Sequence, residues 1–522
     1  MAAVLQLCTS LGLLQPGSTL CEGVYSTNCH CVRQDERVRV CCAGQNSPDD
    51  IARLLSEDLR DTPQISLTEW GAEFPSQLFA DVQPSVRELI LDHNSFGVLP
   101  DTAFAGLRGT QIVRLDHNRL NEIGRLNRGQ LAPLAQLRYL SLAGNGLEAV
   151  EQGALPPGIK HLSLYNNRLE SLNGTLRNMN SMKWLFISKN RLTSLRDELP
   201  AGNSLRALTA YENQLTSLDG LQDARSLSRL FLRSNRLTSL GRLRLPLLKL
   251  LEVSDNQIET VTPEDFAGMP ALKEVTLASN RLTEVGPILD VLRALDKLDL
   301  SDNGLISIGQ LTSEDRQLGA TEAAGDVPVL AHLYVRANRL TSLGELHLPK
   351  LRILDLSDNR LTQVSATNFV GLPSLRELIL SGNHLEEVGL LLEVLPSLTK
   401  ADFSDNIIRS MTPLNTREAL PHEDKPQLVH LETLMLNNNS LSALHVALYR
   451  LPSLCVLDVR DNAISSLRWH RHHAWHCSLQ RSKLRIRGNP MRCEDETVRR
   501  SLTSAAEQFS IDVALCDGVQ EP

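Results

Sequence analysis

Asparagine recurs seventeen times at one fixed place in a Leu-x-x-Leu-x-Leu-x-x-Asn-x-Leu frame: Asn94, Asn118, Asn145, Asn167, Asn190, Asn213, Asn235, Asn256, Asn280, Asn303, Asn338, Asn359, Asn383, Asn406, Asn439, Asn462 and Asn489. Twelve of the sixteen intervals are 21 to 24 residues. One supersecondary unit is therefore stacked on itself, and each copy packs only on its neighbours rather than around a single globular core.

Within a unit such as Leu351, Leu354, Leu356, Asn359 and Leu361, Leu354 and Leu356 are two residues apart. A short extended strand then points both leucines inward and Asp355 outward. After the strand the chain turns inside the stack, where a backbone group without a partner costs roughly 1 to 3 kcal/mol. A carboxamide both donates and accepts, so a column of asparagines can satisfy the turns of adjacent units. Ile65, Leu67 and Ala72 read as a degenerate first unit with Trp70 in the asparagine place.

This frame is that of the leucine-rich repeat family. The resemblance implies a β-rich α/β solenoid: a horseshoe with a concave parallel sheet of about 17 to 18 repeats. Phe104, Phe266 and Phe369 each follow a rung by ten residues in a Phe-x-Gly context, which matches the extracellular repeat type whose ring fills the convex side. One elongated domain is expected, with the array over 63–491, interrupted by insertions at 310–328 and 411–427. Such insertions become surface loops, expected here as tolerated bulges, with a part in binding as the alternative.

The ten cysteines lie only at the ends: Cys8, Cys21, Cys29, Cys31, Cys41 and Cys42, then Cys455, Cys477, Cys493 and Cys516. The terminal units of a stack expose an apolar face, and disulfide-tied modules cover it in oxidising compartments. Caps are thus expected at 21–62, with a short helix opening at Ser47 and Pro48, and at 492–522, with an apolar stripe of Val498, Leu502 and Phe509. Cys21, Cys29, Cys31 and Cys41 resemble the amino-terminal flanking module of extracellular leucine-rich repeat proteins. The resemblance implies the pairs Cys21 to Cys31 and Cys29 to Cys41, with Cys42 an alternative in the second. Gly488, Asn489, Pro490 and Cys493 resemble the start of the carboxy-terminal module, whose usual second cysteine is missing; Cys477 is a candidate replacement, and Cys516 follows.

Met1 to Leu14 is short and mostly apolar, so residues 1–20 are expected to be a secretory signal peptide. Its removal would leave nine cysteines, with Cys42 or Cys455 the candidates for an unpaired thiol; the outcomes are a buried thiol or a disulfide-linked or non-covalent oligomer. No apolar run of membrane-spanning length follows. Sequons at Asn173 and Asn438 suit a secreted glycoprotein. The net charge of −8 argues against a basic stripe for nucleic acid or anionic lipid.

Catalytic motifs are absent: no Gly-x-Ser-x-Gly, no His-Glu-x-x-His and no phosphate-cradling loop. No cofactor and no metal site are expected, since no cysteine or histidine pairs have ligand spacing. The segment from Trp469 to Cys477, with histidines 470, 472, 473 and 476, is expected as a solvated loop, a metal site or acid sensor being the alternative.

The frame also says which side chains point outward: those six, four and two residues before each rung. Over five neighbouring units these positions hold Tyr139, His161, Tyr165, Trp184, Phe186, Tyr211, Arg229, Phe231 and Arg233. Six of the twenty aromatics of the chain gather there, and aromatic and arginine anchors on a solvated sheet are the composition of protein-binding hot spots. Further along, Asp299, Asp302, Asp355, Asp358, Asp402, Asp405, Asp458 and Asp461 predict a solvated acidic face that could select a basic partner.

Caps and repeats together are similar to secreted leucine-rich repeat proteins of animals, and to the leucine-rich immune proteins of mosquitoes in a form without their coiled coil. That resemblance implies haemolymph secretion and a microbial or complement-like ligand. The expectation is a secreted, non-enzymatic protein that binds a protein partner on the concave face. The rivals are a structural or adhesive matrix protein and an inhibitor of an extracellular enzyme.

Overall fold

The computed structural model describes residues 86–511 apart from 121–124, 128, 200–203, 310, 312–327, 389–390, 411–429, 448–450, 452, 471–476, 478–481, 492–493 and 507–508, together with 19–20, 29–34, 37–43, 64–68, 74 and 79. It forms a parallel β-solenoid of about 16 turns, close to the 17 to 18 expected; Trp70 lies outside the described residues. The chain divides into two units, Met1–Leu251 and Glu252–Pro522.

In the first unit, Thr19–Leu20 pairs antiparallel with β1 (Cys29–Gln34), which forms an antiparallel hairpin with β2 (Arg37–Ala43), Cys29 lying opposite Cys42 in backbone register. Strand β3 (Gln64–Thr68) adds in parallel to β2, and β4 (Glu88–Ile90) to β3. Parallel pairing then continues through β5 (Ile112–Arg114), β6 (Tyr139–Ser141), β7 (His161–Ser163), β8 (Trp184–Phe186), β9 (Ala207–Thr209) and β10 (Arg229–Phe231). The central residue of each three-residue strand, from Leu89 to Leu230, is fully buried, which is the alternation the frame requires.

The second unit repeats the pattern with β11 (Glu274–Thr276), β12 (Lys297–Asp299), β13 (His332–Tyr334), β14 (Ile353–Asp355), β15 (Glu377–Ile379), β16 (Lys400–Asp402), β17 (Thr433–Met435), β18 (Val456–Asp458) and β19 (Lys483–Arg485). Helix α1 (Glu496–Ala506) closes the unit by burying Val498, Leu502 and Ala505, with Phe509 buried beyond it. Phe104, Phe266 and Phe369 are wholly buried, as space-fillers should be.

The rungs work reciprocally. Asn190 Nδ2 donates to Leu164 O of the preceding turn at 2.9 Å and to Ile187 O of its own turn at 3.0 Å, while its Oδ1 accepts the Leu169 N–H at 3.0 Å. Asn359 repeats this with Val335 O, Leu356 O and Leu340 N, each at 3.0 Å. Asn94 Nδ2 reaches Leu67 O at 2.9 Å, so the degenerate unit occupies the place of the preceding turn. One rung is incomplete: Asn145 Oδ1 is buried and accepts no hydrogen bond from a described residue.

A second device accompanies every rung. The residue just before each asparagine lies in the left-handed region, at fourteen non-glycine positions from His93 to Asp461 and at Gly144, Gly382 and Gly488. A left-handed residue reverses the chain in one step, and Asn, Asp and Gly tolerate it best.

Among the described residues one disulfide is present, Cys455–Cys477, with a Cα–Cα distance of 5.4 Å. It lies at the carboxy-terminal end, so a cap disulfide is observed at that end only. Cys477 is thus joined to Cys455 rather than standing in as the partner of Cys493. This corrects Cys455 as a candidate free thiol: Cys455 immediately precedes β18, and its Cα lies 5.4 Å from that of Cys477, within bonding distance. The side chains of Cys29, Cys31, Cys41 and Cys42, and all of Cys21, Cys493 and Cys516, lie outside the described residues, as do the Ser47 helix, histidines 472, 473 and 476, and nearly all of both insertions.

Candidate binding face

Strand register converts scattered sequence positions into a two-dimensional map. The first outward row runs Tyr139, His161, Trp184, Ala207, Arg229. The second runs Ser141, Ser163, Phe186, Thr209, Phe231, and the third, after the strands, holds Tyr165, Ser188, Tyr211 and Arg233. All nine residues singled out by the frame therefore share one face of the first unit. Tyr139, His161, Tyr165, Trp184, Tyr211 and Phe231 are half-buried; Phe186, Arg229 and Arg233 are exposed.

The first row is a stack of rings. Tyr139 and His161 have centroids 5.9 Å apart, and His161 and Trp184 lie 6.0 Å apart with planes at 13°. Tyr165 and Tyr211 face each other across Ser188 at 6.3 Å, and the Lys189 ammonium sits 5.7 Å from the Tyr165 ring while pairing with Glu212 at 3.8 Å. Packing leaves its mark on protonation. Burial, then the charges of Lys183 and Lys160, hold the His161 imidazole below its ordinary pKa. Burial raises the Tyr139 and Tyr211 phenols, and a hydrogen bond with Tyr165 followed by Glu212 raises the Lys189 ammonium.

At one side the face ends in a tight charge network. Asp92 pairs with Arg114 at 2.7 Å and accepts the Asp116 N–H at 2.8 Å, and burial raises its pKa despite both partners. His93 and His117 stack beside it at 4.8 Å.

The sequence missed a feature that only register assembles. Arg138, Lys160, Lys183 and Arg206 each immediately precede the first-row residues, and their backbones bond in succession: Lys160 N–H to Arg138 O, Lys183 N–H to Lys160 O and Arg206 N–H to Lys183 O, all at 2.8 Å. Cations 22 or 23 residues apart in the chain thus stand about one strand spacing apart, near 4.8 Å. The net charge of −8 does not report this row, because a repeat concentrates locally what a net charge averages.

The acidic positions of the second unit are solvated with one exception, Asp458. Asp299, Asp355 and Asp402 accept the backbone N–H of Ser301, Ser357 and Ser404, each at 3.0 Å. Asp358 pairs with Arg336 at 2.9 Å, and Asp405 accepts from Asn438 at 2.7 Å. Asp458 is 0% exposed, held by Arg460 at 2.7 Å and Arg485 at 3.3 Å. Burial pushes its carboxyl up, but the hydrogen bonds from Arg460 and Arg485 outweigh this and bring the pKa below the ordinary value. Asp302 and Asp461 serve as left-handed turn residues. Asp302, Asp358, Asp405 and Asp461 are exposed and Asp299, Asp355 and Asp402 half-buried, so the solvated acidic face stands except at Asp458.

The sequons occupy exposed turns. Asn173 and Asn438 are both left-handed and exposed. The Thr175 hydroxyl of the first is buried on Val150 O at 2.9 Å, and the Asn438 amide is engaged by Asp405. Among the described residues no group of three or more His, Cys, Asp or Glu is placed to hold a metal ion, and no helix is long and apolar enough to cross a membrane.

Comparison with known proteins agrees with this geometry. A family profile described as leucine rich repeat matches residues 84–147, 135–192, 243–282 and 328–385. A solved leucine-rich repeat protein of Leptospira interrogans superposes with a TM-score of 0.58 at 21% identity, over 89% of this chain and 98% of that one. The fold is that of leucine-rich repeat proteins. The leucine-rich repeat domain of APL1 superposes with a TM-score of 0.51 at 21% identity, over 74% of this chain and 93% of that domain. Among curated relatives, podocan-like protein 1 of Mus musculus is 31% identical over 327 residues, 56% of each chain. Lumican of Bos taurus is 27% identical over 314 residues, 56% of this chain and 80% of lumican. The chain spans about half the length of the podocan-type relatives it matches.

Proposed function

We propose that this chain is a secreted, non-enzymatic binding protein that engages a protein partner on the sheet face between Tyr139 and Arg233. The observation that carries this reading is the gathering of Tyr139, Tyr165, Trp184, Phe186, Tyr211 and Phe231 on one face in strand register, where rigid rings supply contact area at small entropic cost. Relatives such as podocan and lumican are secreted extracellular matrix proteins, which supports an extracellular route. The decisive experiment is affinity capture from extracellular fluid with the wild-type chain and a Trp184→Ala, Phe231→Ala variant. Loss of specific partners from the variant supports the face; identical recovery from both sinks it.

A second reading is favoured by the podocan and lumican likeness: a structural or adhesive matrix component, for which the same face would bind a matrix polymer or another copy. Light scattering separates them, since self-assembly predicts concentration-dependent growth and a simple recognition protein stays monomeric. The innate-immune reading, with a microbial or complement-like ligand, is supported by the APL1 likeness in fold alone.

A further inference from the structure

Two features of the first unit define the chemistry of what this face would hold. The first is the cation row of Arg138, Lys160, Lys183 and Arg206. Arg138 Nη1 donates to Gly158 O at 3.1 Å, a carbonyl that does not neutralise it. Among the described residues no carboxylate lies within ion-pairing distance of these four, nor of Arg229 and Arg233, whereas Arg114 and Lys189 nearby are both paired. Six cations without a counter-charge among the described residues, on a chain of net charge −8, make a local field that favours an anionic ligand.

The second is a gap in the ring surface. Ala207 follows Trp184 in the first row, Thr209 separates Phe186 from Phe231 in the second, and Ser188 separates Tyr165 from Tyr211. Ala207 is 5% exposed and Ser188 1%. The hydroxyls on this floor are turned into the backbone: Thr209 Oγ1 donates to Leu185 O at 3.4 Å, and Ser188 Oγ accepts the Tyr211 N–H at 3.1 Å. Ala207 and Ser188 thus lie beneath their neighbours, and the half-buried Thr209, its hydroxyl engaged, is the part of this floor left to a ligand. The backbones of Phe186 and Phe231 stand two strand spacings apart, roughly 10 Å, with the smaller Thr209 between them.

We infer that the face takes an acidic polypeptide segment, its carboxylates along Arg138, Lys160, Lys183 and Arg206 and one aliphatic side chain over Thr209, between Phe186 and Phe231. This rests on the reading that the face binds protein. A sulfated polysaccharide matches the cation row but has no side chain for the gap.

The test is panning of a random twelve-residue peptide library on the full chain, followed by titration of the recovered peptides against variants whose circular dichroism matches wild type. The result expected is acidic peptides with a Leu, Ile or Val. Their binding should fall about fivefold or more in Lys160→Glu, Lys183→Glu, and similarly when Thr209→Trp fills the gap or Phe231→Ala removes its wall. It should also weaken on raising salt from about 0.1 M to 0.5 M. Neutral or basic peptides that are still lost in Thr209→Trp overturn the acidic partner and leave the face reading standing. Peptides indifferent to Thr209→Trp and Phe231→Ala, or no recovered binder, overturn both. Heparin binding that is lost in Lys160→Glu, Lys183→Glu but unaffected by Thr209→Trp, while peptides fail, overturns the polypeptide in favour of the sugar.

Discussion

Replacing Asn359 by alanine isolates what one rung contributes. Three carbonyls, Val335, Leu356 and Ser357, lose a donor, yet Val335 O keeps the Asn338 amide at 3.1 Å and Leu356 O keeps the Asn383 amide at 3.0 Å. The Leu340 N–H fares worse, because Asn359 Oδ1 is its acceptor at 3.0 Å. The loss is thus one orphaned buried donor at about 1 to 3 kcal/mol plus three weakened carbonyl bonds at about 0.5 to 1 kcal/mol each, or roughly 2.5 to 6 kcal/mol. Because repeats open with their neighbours, the sharper assay is hydrogen exchange: the Leu340 amide should lose protection far more than amides several turns away. Asn359→Asp refines the logic. It keeps an acceptor for Leu340 N–H but turns a carboxylate toward three carbonyls, so at neutral pH it should be at least as damaging as alanine and should recover in part when acid protonates it. An alanine variant within about 0.5 kcal/mol of wild type with Leu340 protection unchanged, or an aspartate tolerated at pH 7, would refute the reciprocal-rung account.

Glu198, buried on the turn side, accepts from Ser171 Oγ at 2.6 Å, Leu172 N at 3.2 Å and Gly174 N at 2.7 Å. Glu198→Ala should cost roughly 2 to 4 kcal/mol in urea unfolding, and Glu198→Gln less. Asp458 has a folded pKa below the ordinary value, so its contribution is present above about pH 4 and fades as pH falls through the folded pKa. The stability gap between wild type and Asp458→Asn should therefore shrink from pH 6 to pH 2.5, and a constant gap would count against the Arg460 and Arg485 clamp. Removing the Cys455–Cys477 disulfide as a double serine variant frees a loop with a sequence separation of 22 and should lower stability by roughly 3 kcal/mol in the chain-entropy description. Thermal melts with and without reductant check this, since reductant should move only the wild type.

The rungs and the outward face were legible because both follow from short-range rules: period two in a strand and one carboxamide per turn. Counting back from Asn190 placed Trp184 and Phe186 on the face without any three-dimensional knowledge. The cation row was not legible, because Arg138, Lys160, Lys183 and Arg206 precede the strands and belong to no apolar pattern. One signal was available: the same place in four consecutive units is basic. The left-handed residue before each rung also left a trace, in the run of His, Gly, Asn, Asp and Ser there. The fate of the aspartates was hidden, since Asp355 and Asp458 occupy equivalent places and only the neighbouring Arg460 and Arg485 make one a buried clamp. Cys455 could not be paired from sequence, as its partner is set by the return path of the terminal turn.

The reciprocal rung has a consequence for how such a chain can change. Every bond made by Asn190 stays within its own turn or reaches the turn before it, so turns whose rungs share this pattern, Asn145 being the exception, meet through the same chemistry. A whole turn could be excised or duplicated between rungs, and the new neighbours would meet with complementary donors and acceptors already in place. What such a sequence encodes is less a fixed object than a rule for adding the next turn. Its length is then free to drift, while a row of side chains assembled across several turns, such as Tyr139, His161 and Trp184, is what an insertion in the wrong place would break.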